Sequence, residues 1–181
     1  MKKILSILVV AMLLLAPLAA LAEAYASEAI GIIFEVPDGM TVSEDTDPNT
    51  GLAQVRLTGE SVLYFVSAGE VEALADIDLA TATEEQIAQV VAVLGLNADE
   101  GESPVHFELY AEGEVPMLEV FNEDQTGFVI VELESGYVFI QGIVSLSGEP
   151  LTEDDFEAFD DFLESIAGFE EGEDDSEEED E

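Results

Sequence analysis

Cysteine is absent from the 181 residues. That absence excludes a disulfide scaffold, a thiol nucleophile, a thiolate metal ligand and a lipid anchor on a processed N-terminus. Tryptophan is also absent and tyrosine occurs only four times, so few aromatic platforms of the kind sugar-binding enzymes present are on offer. Strong cations are nearly missing: Lys2, Lys3 and Arg56 stand against 43 acidic residues, for a formal net charge of −40. Such a surface repels phosphate backbones and anionic lipid, so neither nucleic-acid binding nor peripheral membrane attachment is expected. The partners it permits are cations, a basic protein or neutral ligands. Screening tempers the self-repulsion, because charges more than about 8 Å apart hardly interact at physiological salt.

Histidine occurs once, as His106. Zinc catalysis generally takes several nitrogen or sulfur ligands, and a Ser-His-Asp triad on a nucleophile elbow has no matching motif here. Glycine-rich phosphate loops, CxxC pairs and basic aromatic patches are missing as well.

What is present begins with a leader. Met1-Lys2-Lys3 is a short positive region, Ile4 to Leu15 an apolar one, and Ala20-Leu21-Ala22 a small-x-small site ahead of Glu23. These are the parts of a secretory signal peptide over residues 1–22, with an uncleaved anchor helix as the alternative. Cleavage would remove both lysines and leave Arg56 as the only strong cation. The whole chain is 48% hydrophobic, and with the apolar leader set aside the body still keeps roughly 43%, which puts it outside the disordered class despite its charge. The expected destination is extracytoplasmic: secreted, extracellular or on the cell surface.

The organising stretch runs from Val105 to Leu146. Four strand-like segments follow one another there, VHFELYA, VPMLEVF, FVIVELE and YVFIQGIVSL, separated by Glu112-Gly113, the NEDQTG tract and Ser135-Gly136. Period and punctuation predict an antiparallel meander. Upstream, residues 23–29 read as a polar lead and Ile30 to Val36 as a first strand stopped by Pro37-Asp38-Gly39. Thr41 to Thr50 reads as polar and turn-rich. Leu52–Thr58 and Ser61–Val66 read as a hairpin, and Gly69 to Ala80 as a connection. Thr83-Glu84-Glu85-Gln86 carries a capping box, with Ile87, Val90, Val91 and Leu94 at helical spacing before Gly95. Asn97 to Pro104 is read as a loop. A last helix is predicted from about Thr152 to Ala167, ended by Gly168, with Phe156, Phe159, Phe162, Leu163 and Ile166 on one stripe. Residues 168–181, ten of the fourteen acidic, should form a disordered tail.

Strands apolar on both sides ask for cover on both sheet faces. Two helices, one per face, would supply it. The expected class is therefore α+β: a mainly antiparallel sheet of six to seven strands with helices packed on it, an α/β/α sandwich spanning residues 29–167. The opening Phe34-Glu35-Val36-Pro37-Asp38-Gly39-Met40, the central helix, the later strands and the Phe-striped last helix resemble the Mog1/PsbP-like fold, although members often have Trp where Met40 stands. That fold recurs in small exported bacterial proteins, and the resemblance implies a non-catalytic binding or accessory domain.

Four places invite a chemical reading. Asp45, Asp47 and Asn49 sit at i, i+2 and i+4 as in a calcium loop, but Thr50 stands where an EF-hand needs glycine and Arg56 where it needs a bidentate glutamate, so a turn is the expectation. Asp76-Ile77-Asp78 is weaker still. His106 is expected as a surface or half-buried strand residue, and Arg56 as one half of an ion pair. No residue is assigned a catalytic, cofactor-binding or metal-ligating role, and no cofactor is expected. The leading expectation is an exported, non-catalytic binding or accessory domain. A low-affinity calcium-binding acidic protein and a carboxylate-dependent hydrolase are the alternatives; with 43 acids, some pair will always fall at a hydrolase spacing.

Overall fold

Along Ala53–Thr58 (β4), Val55 and Leu57 are fully buried on one face while Gln54 and Arg56 turn to the other. That alternation sets the two sides of the whole sheet. The computed structural model describes residues 23–96, 105–111 and 115–168. The leader, the loop at 97–104, the Glu112-Gly113 turn and the tail beyond 168 lie outside them.

The main sheet has seven strands, all antiparallel. In addition to β4 these are Thr41–Thr46 (β3), Val62–Glu70 (β5), Val105–Tyr110 (β6), Met117–Asn122 (β7), Gly127–Glu134 (β8) and Tyr137–Ser145 (β9), in the spatial order β3-β4-β5-β9-β8-β7-β6. The meander over Val105–Leu146 is therefore real, with each strand beside its sequence neighbour. Ser135 and Gly136 both take positive φ, 52° and 88°. A two-residue hairpin of this kind requires that at both positions, and it fixes Glu134 opposite Tyr137. The β4-β5 hairpin also forms as expected.

Two helices cover the two faces. Glu84–Val93 (α1) and Glu153–Glu164 (α2) both start with complete capping boxes, Thr83 with Gln86 and Thr152 with Asp155. Helix α1 buries Ile87, Val90 and Val91 against Leu118, Val120, Val131, Leu133, Val138 and Ile140 of the sheet. The connection ahead of it, with short 3-10 turns at Glu72–Leu74 and Leu79–Thr81, adds Leu74, Ile77 and Leu79 to this core. Helix α2 buries Phe159 and Phe162 on the opposite face against Val55, Leu57, Tyr64, Val66 and Ile143. The Tyr64 ring lies 5.2 Å from that of Phe159 and 5.4 Å from that of Phe162, centroid to centroid. Burial of two phenylalanines, each worth about 1.5–3 kcal/mol, holds α2 to the sheet against the repulsion of its own acidic surface.

Four expectations are corrected. The polar lead contains a strand, Glu23–Ser27 (β1). The first expected strand begins at Ile32 (Ile32–Val36, β2), and it pairs with β1 and with Ala167–Gly168 (β10) in a separate three-stranded sheet. Ile32 and Phe34 of β2 join the α2 core, which is why a short sheet of this composition is stable there. The polar stretch after Gly39 holds β3, an edge strand whose only partly buried apolar side chain is Val42; an edge paired on one side needs little more. The last helix stops at Glu164, not Ala167, because Ser165 ties its end to β2: its hydroxyl donates to the Phe162 carbonyl at 2.7 Å and accepts the Glu35 amide at 3.2 Å. Among the described residues no helix is long and apolar enough to cross a membrane.

Candidate functional site

The two cores do not lie back to back. The α1 core takes its sheet residues mainly from β7, β8 and β9, and the α2 core from β4, β5 and β9. Among the described residues, two diagonally opposed quarters of the sheet consequently lie outside both cores' main packing.

The first lies on the α1 face over β3, β4 and β5. Gln54 and Ser67, buried polar residues on paired strands, hydrogen-bond at 2.9 Å. Arg56 donates from Nε to the side-chain oxygen Oε1 of Gln54 and reaches Asp45 at 3.7 Å. Gln54, Arg56 and Ser67, together with Asn49, Thr50 and Phe65, line a cleft of about 220 Å³. Arg56 thus behaves as expected, paired with a carboxylate. The Asp45–Gly51 segment is a turn: Asp47 Oδ1 accepts the amides of Asn49 and Thr50 at 2.9 and 2.7 Å and the Thr50 hydroxyl at 3.0 Å. Its carboxylate is engaged by the chain itself. Asp78 is used the same way, capping the turn at Leu79–Thr81 through the Ala80 amide at 2.9 Å.

The second quarter lies on the α2 face over β6, β7 and β8. Cross-strand partners share a face, and register puts Glu108 directly opposite Glu119, Tyr110 opposite Met117, Met117 opposite Glu132 and Glu119 opposite Ile130. His106 is in the same quarter, exposed as a strand residue, its ring stacked 5.8 Å from that of Phe121. Met117, Phe121 and Ile130 are only partly buried and belong to neither core. Three carboxylates therefore stand among half-covered apolar side chains, with Arg56 on the opposite face of the sheet.

Their protonation reflects that setting. Desolvation raises the Glu119 pKa, as does the Glu108 charge, while a hydrogen bond from Tyr110 acts in the opposite direction. Glu132 is raised by desolvation alone. The Tyr110 hydroxyl is raised by desolvation and by the charges of Glu119 and Glu108, to which it also hydrogen-bonds. Among the described residues no group of three or more His, Cys, Asp or Glu side chains is arranged to hold a metal ion.

No family model matches the chain, and no curated protein matches it. The site must be read from its own chemistry.

On the β6–β8 quarter of the α2 face, apolar side chains and carboxylates stand side by side. Sequence reasoning placed His106 correctly but missed Glu108, Glu119 and Glu132. The signal available was a carboxylate on the otherwise apolar face of three successive strands, legible only once register is known.

Proposed function

We propose that this chain is an exported, non-catalytic binding or accessory domain of the Mog1/PsbP-like kind, and that it engages its partner through the β6–β8 quarter of the α2 face. The observation that carries the reading is the pairing of Glu108 with Glu119 beside Met117, Phe121 and Ile130, where no layer of the described chain packs on them. Like charges directly opposite on a sheet are destabilising. A fold that keeps such a pair on a half-apolar surface forgoes stability that a bound partner would restore. The leader supports export, and a two-core domain that needs no disulfide suits a chain without cysteine outside the cytoplasm.

Two measurements test this. Mass spectrometry of the chain recovered from outside the cytoplasm should find Glu23 as the first residue. A photocrosslinking residue in place of Tyr110 should trap a protein that mass spectrometry identifies and that added unlabelled chain displaces, whereas the same residue in place of the exposed Asp160 on α2 should not. A chain retained in the cytoplasm with residues 1–22 attached, or identical crosslinks from both positions, would sink the proposal.

A further inference from the structure

The two edges of the main sheet are built differently. At one end β3 carries Ser43, Glu44 and Asp45 exposed, Asp45 accepts the neighbouring Thr46 amide at 2.7 Å, and its carboxylate also holds Arg56. Polar and charged side chains of this kind blunt an edge against further pairing. At the other end β6 pairs with β7 over six residues and, among the described residues, with nothing on its outer side. Its sequence, VHFELY, has no lysine and no proline, and Phe107 and Tyr110 are 43% and 42% exposed. Alternate backbone N–H and C=O groups along such a strand point away from the sheet.

The faces beside that edge are unlike each other. Val105, Phe107 and Leu109 lie on the α1 side, His106, Glu108 and Tyr110 on the other, with Glu119 one strand further in. A strand laid along β6 would therefore meet an apolar row on one side and a carboxylate-and-aromatic row on the other.

Resting on the reading of this quarter as a binding surface, we infer that β6 accepts an extended segment of another protein in which apolar residues alternate with lysine or arginine. The segment adds as an eighth strand: main-chain hydrogen bonds supply affinity, and the alternating side chains supply specificity. Its basic residues lie over Glu108 and Glu119, and its apolar residues pack beside Phe107 and Leu109. Charge argues against a second copy of this chain as the occupant, since two β6 edges side by side would bring more carboxylates together between molecules that each carry a formal charge of −40.

The test uses the full chain and two short synthetic peptides of one composition. One alternates lysine with valine; its isomer holds the same residues in two blocks. The alternating peptide should bind about tenfold tighter by fluorescence anisotropy, and it alone should slow amide hydrogen exchange over residues 105–110. Phe107→Lys and Glu108→Lys should each remove most of that preference, and both positions are exposed, so folding is not at stake. Equal affinity of the two peptides, or binding without protection of β6, would mean diffuse attraction to an anionic surface and would overturn the inference. So would β6 protection that appears without peptide and grows with protein concentration, since it would make a second copy the occupant. If the isomers bind equally while the crosslink at position 110 is still displaced by unlabelled chain, the binding face stands and only the added strand fails.

Discussion

The ring of Phe65 on β5 lies across Gly142, its partner on β9, so closely that a Cβ at position 142 would sit 2.4 Å from Phe65 Cζ. Glycine is needed there to let an aromatic ring lie flat on the neighbouring strand. Gly142→Ala should push the ring off and cost about 1–3 kcal/mol. Urea unfolding would measure it, and Phe65→Leu in the same chain should recover most of the loss. If Gly142→Ala is neutral, the ring is not held in that place.

The stripe on α2 should divide by burial. Phe162, 2% exposed and in contact with both Phe34 and Tyr64, should lose about 3–5 kcal/mol on truncation to alanine. Phe156 is half-buried at the edge of the core against Phe128, and its alanine variant should lose clearly less. Equal midpoint shifts for the two would contradict the packing described.

Acid should help the carboxylate face. Glu119 and Glu132 have folded pKa values above their ordinary value of 4.5, so the folded state holds their protons more tightly than the unfolded chain. Their contribution is most favourable below the unfolded pKa and is lost as pH rises through the folded one. Glu132→Gln should therefore raise Tm at pH 7, and its advantage over the natural chain should shrink as pH falls toward 4.5. An advantage that is constant with pH would assign the effect to packing instead.

Ser27 offers a gain. Its hydroxyl is buried and has no hydrogen-bond partner among the described residues, and leaving such a group unpaired costs about 1–3 kcal/mol. Ser27→Ala should raise the unfolding free energy by about 1 kcal/mol, read from the urea midpoint at unchanged slope.

Much of this architecture could be read from the chain before any coordinates. The meander was legible because Ser135-Gly136 and the NEDQTG tract punctuate runs of strand period, and both helix starts because Thr83 with Gln86 and Thr152 with Asp155 are local signals. β1 and β3 were not, since edge strands bury little and their letters look like loop. The end of α2 was hidden for another reason: what stops it at Ser165 is the Glu35 amide, 130 positions away in sequence. The candidate face was illegible for the same cause, because Glu108, Glu119 and Glu132 become neighbours only through strand register.

Ile140 is buried under α1 and Ile143 under α2, yet both belong to the same nine-residue strand, β9. Neither layer can melt away without disturbing the backbone that seats the other. Heat or denaturant should therefore meet a single all-or-none transition, coincident whether followed at the aromatic cluster near Tyr64 or at the amides of α1.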